Sequence, residues 1–262
     1  MKKILNGLFV YLEGKSNARP VLFIHGFPYE HLMWKAQVDE FSKDYFCAGY
    51  DIRGLGESPA GDGQFTMESF VDDLEMIVGD LGLEKPVLCG LSMGGYISLR
   101  ALERMPESFS AVILCDTRSE ADDNEGKLRR AAAIKRINTE GLAPYARDFM
   151  ATCFSDHYKK NHQGELQKKI EKSSRFNPAG VKGCLIAMLS RTDTTESLEK
   201  IEIPALLICG EEDALTPPSA MREMSRKIKK AEFVPIRRAG HMSPIENPEE
   251  VNRAIRIFLN KL

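Results

Sequence analysis

The sequence lacks long apolar runs and has almost no net charge. None of its apolar runs approaches the length of a membrane-spanning helix, and the N-terminal residues Met1–Gly7 lack the long apolar segment of a signal peptide. A formal net charge of −2 offers no electrostatic footprint for nucleic acid or an anionic membrane surface. We therefore expect a cytoplasmic protein that binds neither nucleic acid nor membranes.

Patterns for metal and nucleotide binding are also missing. The six cysteines include no Cys-x-x-Cys pair, and Cys47, Cys89, Cys115 and Cys209 lie inside apolar, strand-like runs. This predicts reduced core residues rather than a disulfide framework or a zinc site. The glycine-rich turn at 51–58 could suggest phosphate binding, but it has neither a Walker lysine nor Rossmann spacing. We expect a structural turn there, and no metal or cofactor.

The order of the apolar segments indicates the fold class. Short apolar runs alternate with amphipathic helical patterns, which predicts an α/β fold with a mainly parallel central sheet and helices on both faces. The predicted strands are 8–12, 21–24, 45–50, a run beginning at Val87, 111–115, 205–209 and 232–236. The predicted helices are 32–41, 66–83, one following Ser92, 219–228 and 248–259.

The alternation stops between residues 119 and 200. Charge clusters and helical periodicity take over there, for example in 127–137 and 164–174. We therefore predict that residues 119–200 are a helical cap, or lid, inserted into a core of residues 1–118 and 201–262. A segment that leaves one parallel strand and returns at the next lies over the carboxyl edge of the sheet, where ligands bind.

The stretch Val87–Leu99 carries the main chemical signal. It begins as a strand-like run, forms the pattern Gly-x-Ser-x-Gly around Ser92 and continues as a helical sequence. A strand that reverses sharply into a helix strains its apex residue, and it needs small neighbours such as Gly90 and Gly94. The serine hydroxyl is then exposed near a helix N-terminus, where free N–H groups favour negative charge. We predict that Ser92 is a nucleophile, although the pattern alone also occurs by chance.

A serine nucleophile needs a base to accept its proton, and the chain has five histidines. His241 lies in a loop after the last predicted strand, so we predict that it is the base. His25 is expected to be structural and to bond backbone around its turn. His31 is expected to start a helix, and His157 and His162 are expected to face solvent.

The base in turn needs an acid that orients it and stabilises its cationic form. Asp213 follows the strand that precedes the strand of His241, and we predict that it is this acid. Asp116 also ends an apolar strand and remains the alternative. Glu211 and Glu212 are interpreted as solvated loop charges or helix-start acids.

A tetrahedral intermediate needs two N–H donors. The residue after the nucleophile supplies one, the amide of Met93, and the turn after the early strand supplies the other, the amide of Phe27. Because only backbone is used, both side chains are free to line an apolar pocket. The insertion is expected to contribute further lining residues, namely Phe149, Phe154, Met188 and Leu189.

These features resemble the α/β-hydrolase superfamily. The resemblance rests on the order Ser92, Asp213, His241, on the turn His25–Pro28 and on the segment Asp51–Ser58, and it covers nearly the whole chain. Within the superfamily the chain is most similar to bacterial carboxylesterases and β-ketoadipate enol-lactone hydrolases, which the segments 114–118 and 191–194 also resemble. Haloalkane dehalogenases and epoxide hydrolases of this superfamily have an aspartate nucleophile, so the serine argues against both chemistries.

Residues and resemblance together predict a serine hydrolase that acts on a small carboxylic ester or lactone. Ser92 attacks, His241 relays the proton, Asp213 orients His241, and water releases the acyl group. The alternatives on the same triad are carbon–carbon bond hydrolysis and cofactor-free peroxidase or perhydrolase chemistry. A ligand-binding sensor with the same fold is a third alternative.

Overall fold

The fold is built on one eight-stranded sheet, observed in a computed structural model that describes residues 1–262. The strands are β1 (Lys2–Leu5), β2 (Leu8–Glu13), β3 (Pro20–Ile24), β4 (Phe46–Tyr50), β5 (Val87–Leu91), β6 (Ala111–Cys115), β7 (Ala205–Gly210) and β8 (Ala231–Ile236). Their order in the sheet is β1-β2-β4-β3-β5-β6-β7-β8. The first two strands pair antiparallel, and β3 to β8 are parallel. The predicted α/β fold with a mainly parallel sheet is confirmed.

Eleven α-helices surround this sheet. They are α1 (Lys35–Phe41), α2 (Met67–Asp80), α3 (Met93–Arg104), α4 (Asn124–Glu140), α5 (Leu142–Cys153), α6 (Asp156–Asn161), α7 (Gln163–Ser173), α8 (Pro178–Leu189), α9 (Pro218–Lys227), α10 (Ser243–Glu246) and α11 (Pro248–Leu259). Short 3-10 segments cover His31–Trp34, Pro106–Ser108 and Thr195–Lys200. None of the helices combines the length and the apolar character required to cross a membrane.

The central strands are apolar throughout because both of their faces are covered. Successive residues of a strand point to opposite faces, so Leu22 and Ile24 join one hydrophobic cluster while Val21 and Phe23 join another. Each of these four side chains is at most 1% exposed. The two clusters lie on opposite faces of the sheet and fix its register, since a slip by one residue would exchange the faces.

The edge strand β1 is the element that apolar patterning did not predict. Lys2, Lys3 and Ile4 are exposed, and the strand exists because its backbone pairs with β2, with Lys2 opposite Tyr11. An exposed two-residue turn with positive φ at Asn6 and Gly7 closes this hairpin. Backbone pairing at an edge leaves little trace in side-chain hydrophobicity.

The glycine-rich turn after β4 is stabilised by hydrogen bonds to the carboxylate of Asp51, its first residue. Asp51 accepts hydrogen bonds from the His31 backbone N–H at 2.7 Å, from His31 Nδ1 at 2.8 Å and from the Glu57 backbone N–H at 2.8 Å. Gly56 has a φ of 57°, and a Cβ there would lie 2.2 Å from the Asp51 carboxylate. The turn therefore folds around a buried aspartate.

Helices α4 to α8 occupy the connection between β6 and β7. Their backbone touches the core at Gly180, where a Cβ would lie 2.0 Å from the Gly54 carbonyl oxygen. A second contact is the hydrogen bond from Ser173 Oγ to the Pro28 carbonyl at 2.9 Å. All six cysteines of the chain are buried and free, as the apolar runs predicted for four of them.

Candidate active site

Ser92 sits at the sharp turn between β5 and α3. Its backbone is strained, with φ 52° and ψ −112°, a conformation that a non-glycine residue seldom adopts. Surrounding hydrogen bonds hold it there: its N–H donates to the Cys115 carbonyl at 2.9 Å, and its carbonyl accepts from the Tyr96 N–H at 3.0 Å and Thr117 Oγ1 at 2.8 Å. The hydroxyl consequently points away from the sheet.

The glycines around Ser92 are required by close backbone approach. A Cβ at Gly90 would lie 2.4 Å from the Gly94 carbonyl oxygen, and one at Gly94 would lie 2.2 Å from the Ile24 carbonyl oxygen. The predicted reason for these glycines is confirmed. Because Gly94 lets α3 rest against the end of β3, the turn after β3 is brought beside Ser92.

The structure brings Ser92, His241 and Asp213 into one hydrogen-bonded chain. His241 Nε2 lies 2.9 Å from Ser92 Oγ, and His241 Nδ1 lies 2.9 Å from Asp213 Oδ2. Asp213 and His241 are buried, at 3% and 5% exposure. This order of contacts allows the imidazole to take a proton from the serine while its other nitrogen donates to the carboxylate.

The Asp213 carboxylate is held in its ionised form. Oδ1 accepts from the backbone N–H groups of Leu215 at 2.8 Å and Thr216 at 3.0 Å, and Oδ2 accepts from the Thr216 hydroxyl. Burial alone would raise the pKa of Asp213, but the electrostatic interaction and hydrogen bond with His241 and the hydrogen bonds from Thr216 outweigh it and hold the pKa below its ordinary value. An ionised carboxylate in this position favours a positive charge on the neighbouring imidazole.

Asp116, the alternative acid, is engaged elsewhere. Its Oδ1 accepts from the Gly210 N–H at 2.8 Å and its Oδ2 accepts from the Ser243 hydroxyl, so it joins the end of β6 to β7 and to the start of α10. Burial and the nearby charge of Asp213 raise the pKa of Asp116 well above its ordinary value. It makes no hydrogen bond to His241.

Asp116, Asp213 and Cys209 also bring ligand-type atoms within 4.8 Å of one another. These three groups already have protein hydrogen-bond partners. Both carboxylates accept from protein donors, and the Cys209 thiol donates to the Thr216 carbonyl at 3.4 Å. Burial raises the pKa of the Cys209 thiol far above its ordinary value, so this sulfur is protonated. We assign no metal to this cluster.

Met93 follows Ser92 directly, and Phe27 lines the same cavity as Ser92. Met93 is the first residue of α3, a position whose N–H has no partner inside the helix. The N–H of Phe27, in the turn after β3, donates to no protein acceptor. These are the two donors that the sequence predicted for an oxyanion.

His25 shapes the turn that carries Phe27. Its Nδ1 lies 2.9 Å from the Gly26 carbonyl, and its Nε2 accepts from the Ile52 N–H at 2.9 Å. Burial lowers the pKa of His25 to about 4, so the ring is neutral. The predicted structural role of His25 is confirmed, and His157 and His162 are exposed as predicted.

A cavity of about 320 Å³ opens above Ser92 and His241. Of the residues predicted to line it, Phe27, Phe149 and Met188 do so, and the rings of Phe27 and Phe149 meet edge to face at 5.5 Å. Phe154, Leu189 and the Met93 side chain do not line the cavity. The complete lining is Phe27, Ser92, Tyr96, Arg118, Asp122, Gly126, Arg129, Arg130, Ala133, Tyr145, Phe149, Thr152, Leu185, Met188, Leu215, Thr216 and His241.

The three exceptions pack into other parts of the molecule. Phe154 stacks on Tyr158 at 4.8 Å and joins the hydrophobic cluster on the other side of the sheet. Met93 is the fully buried first residue of α3, and Leu189 is the half-buried last residue of α8. Hydrophobicity alone did not distinguish side chains that pack between helices from side chains that face a cavity.

Charged residues in the cavity wall were missed by the sequence analysis. Arg130 pairs with Asp122, which also receives Arg191 Nη1 at 2.8 Å, whereas half-buried Arg118 makes no ion pair and donates only to the Leu215 carbonyl. Arg118 lies three residues beyond the carboxyl end of β6, and that position was the signal available. Arg129 and Arg130 reach the cavity only through the packing of α4.

A family model described as alpha/beta hydrolase fold matches residues 19–248. The 3-oxoadipate enol-lactonase 1 of Acinetobacter baylyi is 30% identical over 96% of this chain and 91% of that protein.

Among solved structures, a thermophilic esterase from Thermogutta terrifontis, determined with malate bound, superposes with a TM-score of 0.92. It is 35% identical and covers 100% of this chain and 98% of its own. The enol-lactonase from Burkholderia xenovorans LB400 gives a TM-score of 0.90 at 26% identity, with coverage of 99% and 100%.

Proposed function

Because the chain belongs to the alpha/beta hydrolase family, we propose that it hydrolyses small carboxylic esters or lactones through an acyl-enzyme on Ser92. The relatives named as esterases and enol-lactonases support this reaction class. The observation that carries the proposal is the continuous hydrogen-bonded chain Asp213–His241–Ser92, whose serine end opens into the cavity.

The proposed reaction begins when Ser92 Oγ attacks the carbonyl carbon and its proton passes to His241 Nε2. The carbonyl oxygen becomes an oxyanion that the N–H groups of Phe27 and Met93 stabilise. Collapse of this intermediate breaks the bond to the leaving alkoxide, which takes the proton from His241. The acyl group remains on Ser92, while the charge of Asp213 stabilises the imidazolium in between.

Deacylation repeats these steps with water. His241 removes a proton from the water, the resulting hydroxide adds to the acyl carbon, and Ser92 leaves as its alkoxide and recovers the proton. With a lactone, the alcohol and the acid are parts of one product.

We propose that residues 119–200 act as a cap over a core of residues 1–118 and 201–262. The support is that α4, α5 and α8 supply Arg130, Phe149 and Met188 to the cavity that contains Ser92. A cap in this place excludes water and encloses the acyl group.

A second, narrower candidate is an ester or lactone that also bears a carboxylate. The unpaired guanidinium of Arg118 in the cavity wall favours it, since a half-buried cation gains from an anionic partner. The relatives named for 3-oxoadipate enol-lactone act on the lactone of a dicarboxylic acid, which agrees with this charge. An ester pair that differs only in a terminal carboxylate separates the two candidates.

The test is labelling by a fluorophosphonate followed by peptide mapping, together with turnover of short 4-nitrophenyl esters and an enol-lactone. We expect one labelled residue, Ser92, and hydrolysis of several substrates. Labelling at another serine would move the nucleophile. Absence of both labelling and turnover would contradict the enzyme and favour the sensor alternative.

A further inference from the structure

The carboxylate of Glu246 bonds to the loop of His241 from both sides. Its Oε1 accepts from the Gly240 N–H at 2.9 Å and from the Met242 N–H at 3.2 Å, the residues that flank His241. Glu246 lies at the end of α10, just after this loop. The carboxylate thus bridges the backbone immediately before and after the imidazole.

The same carboxylate also holds the insertion. Its other oxygen, Oε2, accepts from the Ser155 N–H at 2.9 Å, at the junction between α5 and α6. Ser155 is buried, and its hydroxyl accepts from the Tyr158 N–H at 3.1 Å, which caps the start of α6. One side chain therefore joins two segments that are about ninety residues apart.

The two segments are also in direct backbone contact. A Cβ at Gly240 would lie 2.7 Å from the Ser155 nitrogen and 3.1 Å from the Phe154 carbonyl carbon. Only glycine permits this approach, so the residue before His241 must be glycine because the insertion packs against it. This contact is independent of the Glu246 hydrogen bonds and points to the same junction.

No cation pairs with Glu246, although it is half-buried. Burial raises the pKa of its carboxyl group, while the N–H donors of Ser155, Gly240 and Met242 oppose that rise. A desolvated carboxylate whose partners are all backbone N–H groups is sensitive to the loss of any one of them.

We propose that Glu246 is a positioning residue. Its carboxylate fixes the conformation of the His241 loop and holds the α5–α6 junction against that loop. The position of the insertion and the reach of His241 to Ser92 are then coupled through one carboxylate. The catalytic half of this inference rests on the function proposed above. The mechanical half, the joining of the two segments, is independent of it.

The test compares Glu246→Gln with Glu250→Gln. A glutamine has one carbonyl oxygen, so it cannot accept from the His241 loop and from Ser155 at the same time. Glu250 is a matched control, because it accepts from the Arg237 N–H and from Asn247 near the same end of the molecule but contacts neither segment.

With a 4-nitrophenyl ester, we expect Glu246→Gln to lower kcat by about ten- to a hundredfold with little change in KM, as loss of alignment does. Hydrogen exchange should rise in 154–158 and in 239–243 together. Glu250→Gln should leave kcat and exchange in both segments at wild-type values.

Gly240→Ala provides a second route if Glu246→Gln does not fold. It retains the carboxylate and forces the two segments apart, and it should also lower kcat and raise exchange in both segments. A folded Glu246→Gln protein with wild-type kcat would reduce Glu246 to a fold-stabilising residue. Faster exchange in 239–243 alone would refute the coupling to the insertion.

The exchange readout separates failure of this inference from failure of the proposed function. If the wild type neither hydrolyses esters nor labels at Ser92, the proposed function is wrong. A rise of hydrogen exchange in both 154–158 and 239–243 in Glu246→Gln would still show that Glu246 joins the two segments. If the wild type is active and both variants resemble it in kcat and exchange, the positioning role is wrong.

Discussion

The cavity has two walls, and they are built in different ways. The core wall carries Ser92, Phe27 and His241, which lie in the turns that follow the carboxyl ends of the parallel strands β5, β3 and β8. The insertion wall carries Arg130 and Phe149, placed by helices that pack through ion pairs and aromatic contacts.

We expect the core wall to determine the chemical step and the insertion wall to determine substrate specificity. Groups on the core wall are fixed by strand ends that many buried residues determine, so their geometry tolerates little change. Groups on the insertion wall depend on side-chain contacts between helices. Changes to the core wall are therefore expected to alter the rate for every substrate, and changes to the insertion wall to alter the choice among substrates.

The largest expected effect is loss of the nucleophile on the core wall. Ser92→Ala should lower kcat by roughly a millionfold, because the triad acts as a unit. Ser98→Ala is the control, since Ser98 is a buried serine of α3, the helix that follows Ser92, and its hydroxyl bonds only to the Gly94 carbonyl. Substantial ester turnover by a purified Ser92→Ala protein would remove Ser92 from the mechanism.

The next effect compares the two buried aspartates. Asp213→Asn should lower kcat by about ten-thousandfold, because it removes the charge that orients and stabilises His241. Asp116→Asn should lower kcat far less and act mainly on the melting temperature, since Asp116 braces Gly210 and Ser243. Both variants are assayed with the same ester at a temperature where circular dichroism shows them folded. The reverse order of damage would assign the acid to Asp116.

A smaller effect is expected at Arg118, where the two walls meet. Arg118→Gln should lower kcat/KM for monomethyl adipate by about tenfold and leave methyl hexanoate unchanged, because only the first ester offers a carboxylate to the guanidinium. Arg147→Gln, an exposed arginine of α5 outside the cavity lining, serves as the control. Equal losses on both esters would show that Arg118 supports only the Leu215 loop.

The smallest effect sharpens the description of the insertion wall. Phe149→Ala and Met188→Ala should change the preference between short and long 4-nitrophenyl esters by about fivefold, since each removes apolar surface from the cavity. Phe154→Ala and Leu189→Ala should leave that preference unchanged, and Phe154→Ala should lower the melting temperature most. Ester profiles and thermal melts check the four variants. Unchanged profiles at Phe149 and Met188 would make the insertion a structural module.

Much of the core was accessible from the sequence because its signals are local. Strands such as β3 and β5 are short apolar runs, and the Gly90 and Gly94 pair reflects a turn within five residues of Ser92. The edge strand β1 was not accessible, because backbone pairing alone forms it. Phe154 and Leu189 were assigned to the cavity because helical periodicity does not say which neighbour a buried face meets.

The sequence by itself was enough to predict the fold class from the alternation of apolar segments, the strained turn from the Gly-x-Ser-x-Gly pattern, and His241 as the base from its place after the last strand. Only the tertiary structure decided between Asp213 and Asp116 as the partner of His241, and only it placed Arg118 and Glu246. Those outcomes depend on which strand ends and loops meet in the fold: Arg118 contacts Leu215, 97 residues away in sequence, and Glu246 contacts Ser155, 91 residues away. Side-chain geometry at such contacts is set by packing rather than by local pattern.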